Sequence, residues 1–167
     1  MRLFFYGTLR DPDVRRLVFG ARAAALDVCP AELLGFRACR AEGADYPLLL
    51  RRTAARVRGE LAEGLVYDDL LRLFHFEGPD YEPAQGLAIG PDGRRQAVWV
   101  LLPSGGRPAS LRTWRLRSWQ LQRKPRVLSQ LKVWMREYER FEASSVEITW
   151  PVRRQLKAWR DAGELED

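Results

Sequence analysis

The period of the apolar positions changes several times along the 167-residue chain, and each change marks an element. Arg2–Tyr6 is short, apolar and aromatic, and Gly7 stops it, which predicts a strand followed by a turn. Asp11-Pro12-Asp13 has the form of a helix start, with Asp11 as N-cap and Pro12 in the first helical position. Val14, Leu17 and Val18 follow at helical spacing, and Gly20 closes the segment. Strands are predicted over Ala31–Arg40, with a break at Gly35, over Tyr46–Leu50, and over Arg56–Leu61 continuing toward Leu65. Between Leu65 and Phe76 the period lengthens: Leu70, Leu73, Phe74 and Glu77 fall at helical offsets, and Gly78-Pro79 ends the helix. Ala84–Ile89 and Gln96–Leu102 alternate again, joined by the turn signal Pro91-Asp92-Gly93. This order predicts an α+β domain around a small mixed or closed sheet, not a doubly wound α/β domain.

Pro103–Pro108 is the expected boundary. It divides the chain into a domain over 1–106 and a basic helical extension over 107–167. Pro125–Phe141 carries Leu128, Leu131, Trp134, Met135 and Tyr138 on one stripe, and Pro151–Ala162 carries Val152, Leu156 and Trp159. Charge sharpens the division. Residues 1–106 hold 14 basic and 14 acidic side chains, and 107–167 hold 14 against 8, so the whole net charge of +6 lies in the last third. Basic residues interleaved with Trp114, Trp119, Trp134 and Trp159 can bind nucleic acid. We read the tryptophans instead as packing on the domain while the arginines face water, and expect no nucleic-acid partner. The same stripes could also bury against a second copy of the chain, making a homodimer.

Composition narrows the chemistry. No apolar run is long enough to span a membrane, and the N-terminal apolar stretch is too short for a signal peptide. Cys29 and Cys39 lack metal-type spacing, and we read them as reduced thiols of a cytoplasmic protein. There is no P-loop, GxGxxG or CxxC, and a lone histidine, His75, builds neither a multi-histidine metal site nor, without a GxSxG elbow, a serine triad. General acid–base work therefore falls to carboxylates, tyrosines or lysines. Two features remain. In Tyr6-Gly7-Thr8-Leu9, a glycine straight after a strand lets backbone N–H groups turn outward to hold an anion; the plainer reading is an ordinary strand-to-turn glycine. In Phe76-Glu77-Gly78-Pro79-Asp80-Tyr81, Glu77 closes an apolar helix. Desolvation there would raise its pKa toward neutrality; alternatively it is solvated at the surface.

Together these segments resemble the gamma-glutamyl cyclotransferase-like (AIG2-like) family. FFYGTL is similar to the family's YGSL-type loop, with Thr8 in place of the serine. VRGELAEGLVYDDLLRLFHFEGPDYEP resembles its second signature, a V-x-G strand and then a helix ending in Leu-Asp-x-[FY]-Glu-Gly with a tyrosine beyond. The matching positions are Val57, Gly59, Leu73, Phe76, Glu77, Gly78 and Tyr81, and Tyr46-Pro47 matches a step common between the two signatures. The resemblance covers residues 1–102. One position departs from it: Phe74 stands where the family usually has an aspartate.

The resemblance implies a small mixed, partly closed β-barrel-like sheet with flanking helices, to which the C-terminal helical extension is added. It implies an enzyme that releases 5-oxoproline from a gamma-glutamyl amine or peptide, needing no metal and no cofactor. In that reaction the α-amine of the substrate attacks its own γ-carbonyl. Glu77 would be the catalytic acid/base, and the amides of Gly7, Thr8 and Leu9 would hold glutamyl oxygens; Tyr81 would line the site or hydrogen-bond the substrate, and Tyr6, counted with the binding residues, is read chiefly as packing at the strand end. The Phe74 departure leaves open an inactive or differently specialised member that binds a small molecule or protein.

Overall fold

The computed structural model describes residues 1–78, 80–104, 106, 108–142, 156–157 and 159–163. The chain runs β1 (Leu3–Phe5), a 3-10 turn (Thr8–Arg10), α1 (Pro12–Phe19), a second 3-10 turn (Gly20–Ala25), β2 (Asp27–Ala41) and β3 (Pro47–Glu63). Then come α2 (Tyr67–Glu77), β4 (Tyr81–Ile89), β5 (Arg95–Pro103), β6 (Ala109–Thr113), α3 (Leu116–Gln122) and α4 (Lys124–Glu142).

Five strands close on themselves in the order β3-β1-β5-β4-β2, because β2 also pairs with β3. The β1–β5 pair is parallel and the others are antiparallel, so the barrel is mixed. Alternation along each strand separates two cores. Phe4, Leu33, Val57, Leu61, Ala88, Val98 and Val100, drawn from all five strands, fill the barrel. Leu3, Phe5, Trp99 and Leu101 face outward and meet the helices through Val14, Val18, Leu70, Leu73 and Phe74. The V-x-G step has a packing cause. A Cβ on Gly59 would collide with the Phe4 ring and the Phe5 carbonyl, so only glycine lets β3 approach β1.

The caps agree with the sequence. The Asp11 carboxylate accepts from the N–H of Asp13 (2.9 Å) and Val14 (3.4 Å), with Pro12 in the first turn of α1. In α2, Asp69 accepts from the N–H of Val66 at 3.0 Å, and Gly78 ends the helix at φ 75° with its N–H on the Phe74 carbonyl. Pro79 lies outside the described residues.

Three elements differ from expectation. The two stretches expected at Tyr46–Leu50 and Arg56–Leu61 form one strand, β3, from Pro47 onward, which pairs with β2 from Asp27↔Glu63 to Leu34↔Arg56 and again from Phe36↔Arg51 to Arg40↔Pro47. Gly35 does not break β2: it takes φ 77° within a bulge between Leu34 and Phe36, and the strand continues. Residues 109–113, expected within a helical region, form β6 and pair with the end of β2 (Cys39↔Thr113, Ala41↔Ala109).

The helices after β6 pack on the domain. Leu131 and Met135 of α4 are buried, as are Trp114, Trp119, Leu156 and Trp159. Lys124, opening α4, lies 2.8 Å from Asp11 and 2.7 Å from Asp13, and Gln120 donates to Asp11 at 2.8 Å. Burial pushes the Asp11 carboxyl up. The hydrogen bonds from Lys124, Gln120 and the Asp13 amide outweigh that and hold it below its ordinary value. Trp134 departs from the expected stripe: it is 47 % exposed, stacked on His75 at 4.8 Å, with its Nε1–H donating to the His75 carbonyl at 2.9 Å. Val152 lies outside the described residues, whereas Leu156 and Trp159 are buried as expected.

Candidate active site

Helix α2 carries Asp69, Leu70, Leu73 and Phe74 on its buried face, and Glu77 follows three and four residues after Phe74 and Leu73. The fold therefore delivers the carboxylate inward at the helix end. β1 is buried on both faces as far as Tyr6, and Gly7 turns the chain into the 3-10 turn. Both segments line one cavity of about 400 Å³, within the range of small-molecule sites. Tyr6, Gly7, Thr8, Leu9, Glu77 and Tyr81 all lie on its wall, so every site residue expected from the sequence is brought together there.

The loop is held from behind. Arg15 donates to the Leu9 carbonyl at 2.8 Å and pairs with Glu60 at 2.5 Å. The turn uses the carbonyls of Gly7 and Thr8 to accept from Arg10 and Asp11. The N–H groups of Thr8 and Leu9, opening a helical turn, have no acceptor within it. A Cβ on Gly7 would come within 3.1 Å of the Pro47 ring, which gives the Tyr46-Pro47 step its place in the wall.

The electrostatics of Glu77 follow from burial. Its side chain keeps partial access to the cavity, but protein encloses it and no ion pair with a described residue offsets the lost hydration. Desolvation raises its pKa to about 8. Tyr6 and Tyr81 are both buried, and their side chains share a hydrogen bond. The Tyr6 hydroxyl also donates to the Leu101 carbonyl at 3.0 Å. Burial, then the fields of Tyr81 and Glu77, push the Tyr6 pKa well up, so this phenol remains a neutral hydrogen-bonding group. Tyr6 thus belongs both to the barrel core and to the cavity wall.

Sequence reasoning did not anticipate the part played by α4. Arg126, Val127 and Gln130 line the same cavity. Their spacing puts them on one side of a helix, yet nothing in the spacing says what that side covers. Phe74 is absent from the cavity wall: its ring stacks on Trp159 at 5.0 Å, and Trp159 meets Trp99 edge-on at 6.1 Å.

The chain is thus a closed mixed barrel with a desolvated carboxylate and a glycine-opened loop lining one cavity. Its residues 3–121 match the family described as "Gamma-glutamyl cyclotransferase, AIG2-like", and the protein belongs to that family. Among curated relatives, it is 25% identical to AIG2-like protein A of Arabidopsis thaliana over 135 residues, 78% of each chain. It is 34% identical to AIG2-like protein C of the same plant over 80 residues, 48% of this chain and 45% of that one. A solution structure of an Arabidopsis thaliana protein superposes with a TM-score of 0.59 at 19% identity, covering 87% of both chains. A structure described as gamma-glutamyl cyclotransferase superposes with a TM-score of 0.53 at 12% identity, covering 79% of this chain and 86% of that one, and shares the fold.

Proposed function

We propose that the protein is a gamma-glutamyl cyclotransferase that releases 5-oxoproline from a gamma-glutamyl amine or peptide, with Glu77 as general acid/base. The observation that supports this reading is the shared cavity: Glu77, with a pKa of about 8, and the Gly7–Leu9 loop both line it.

The reaction is an intramolecular acyl transfer. The substrate α-ammonium must lose a proton before its nitrogen can attack, and ionised Glu77 is matched to accept it. The nitrogen then bonds to the γ-carbonyl carbon, and negative charge develops on the carbonyl oxygen. The Thr8 and Leu9 N–H groups would stabilise that charge, or hold the glutamyl carboxylate. Collapse breaks the bond to the departing nitrogen. Protonated Glu77 returns its proton there, so the products are 5-oxoproline and a free amine. Folding a flexible glutamyl chain into its attacking conformer can itself supply several kcal/mol. Tyr6 and Tyr81 would orient the glutamyl group through their linked hydroxyls.

The Phe74 departure does not count against this reading. Its side chain supports Trp159 rather than the cavity, so it changes how the C-terminal segment docks, not the groups that meet substrate. The test is incubation of the full chain with gamma-glutamyl dipeptides, gamma-glutamylamines and glutathione, with 5-oxoproline read by mass spectrometry. At least one should yield product; none doing so would favour a binding module.

A further inference from the structure

The loop between β2 and β3 is a wall shared by two cavities. Gly43, Ala44 and Asp45, with Arg126 of α4, line both the Glu77 cavity and a more open basin of about 430 Å³ beside it. The basin's charged lining is Arg40, Arg112, Arg123 and Arg126, against Glu42 and Asp45. Asp45 already faces Arg123, with Oδ1 3.1 Å from Nε. Arg40, Arg112 and Arg126 have no ion-pair partner among the described residues. Three of the four arginines come from the segment after Pro108, where the positive excess of the sequence lies. The fold gathers them from β2, β6, the α3–α4 junction and α4 around one depression. Four guanidinium groups against two carboxylates around one depression leave a positive surplus suited to an anion.

The basin's place beside the cavity says which part of a ligand it would meet. If the glutamyl unit lies against Glu77 and the Thr8–Leu9 amides, the departing amine extends toward the loop at Gly43–Asp45 and Arg126. We propose that this basin is a subsite for an anionic group on the departing amine. It selects gamma-glutamyl amino acids or peptides over neutral gamma-glutamylamines. The inference rests on the gamma-glutamyl reading of the cavity and deepens it.

The experiment is calorimetric titration of full-length Glu77→Gln, which should bind without turning over. The ligands are gamma-glutamylglycine and gamma-glutamyl-ethylamide, which differ by a carboxylate in place of a methyl group. The dipeptide should bind about tenfold more tightly in low salt. Added sodium chloride should shrink that ratio, and Arg112→Gln/Arg126→Gln should bring it close to one. Both side chains are exposed, Arg112 on the short strand β6 and Arg126 on α4, where glutamine suits a helix about as well as arginine, so the folded state should survive. Equal affinities, a preference that persists in the double variant, or no binding of the dipeptide would overturn the subsite. The two readings fail separately. A salt-sensitive preference without 5-oxoproline from the wild type would retire the reaction and keep the basin. Product formed from both ligands at equal kcat/KM would keep the reaction and remove the basin.

Discussion

At the scale of single residues, two positions carry the account by what surrounds them. Gly59 has no room for a methyl group, since Phe4 and the Phe5 carbonyl occupy that space. Gly59→Ala must push β1 from β3, and is expected to destabilise the fold by about 3 kcal/mol, measured by urea denaturation. Glu77 is held where its charged form is poorly solvated, and the direction of the linkage follows. Its folded-state pKa of about 8 lies above the ordinary carboxylate value, so the folded protein binds this proton more tightly than the unfolded chain. Its contribution to stability is therefore present in acid and lost as pH rises from about 4.5 through 8. Glutamine cannot ionise. Glu77→Gln should gain stability over wild type as pH is raised from 5 to 9, by on the order of a few kcal/mol. Thermal unfolding of both proteins at the two ends of that range checks it. A Tm difference that does not change with pH would mean that Glu77 ionises freely.

At the scale of elements, α2 was legible and the tail less so. Leu70, Leu73 and Phe74 mark the buried face of α2, and Gly78 its end, so the helix could be read from spacing, while the burial of Glu77 could not. The single strand β3 could not. Residues 50–54 are exposed, and 52–55 fall in the register shift between Leu34↔Arg56 and Phe36↔Arg51, where β3 carries extra residues that no β2 residue faces. The apolar pattern stops at this irregularity, and a single strand resuming the same partner beyond it has no local signal. Strand β6 is short and carries Arg112; its pairing with β2 is a tertiary event without a local signal. Trp159 is the tail residue on which docking should depend most, being fully buried between Phe74 and Trp99. Trp159→Ala is expected to cost about 3–5 kcal/mol in denaturant titration. A cost below about 1 kcal/mol would mean that the C-terminal segment is not integral to the fold.

At the scale of the whole molecule, the closed barrel and the helices beyond it divide the site between them. The barrel and α2 provide the loop amides, the tyrosines and Glu77; α4 adds Arg126, Val127 and Gln130 to the same wall. The first group was readable because its segments stand in the order of the family's two signatures; a glycine after a strand or a carboxylate at a helix end, taken alone, left the plainer readings open. The second was not, because an exposed arginine on a helix looks the same in sequence whether it meets water or a cavity mouth. The buried pairing of Asp11 with Lys124, which fixes the start of α4 against α1, likewise joins residues more than a hundred positions apart. The central claim is that Glu77 moves the protons of the cyclisation. Its most direct test is the rate of 5-oxoproline release from the best gamma-glutamyl substrate at pH 8, wild type against Glu77→Gln. The account predicts a loss of about 10²-fold or more in the variant, with its circular dichroism unchanged. Equal rates in the two proteins would contradict it.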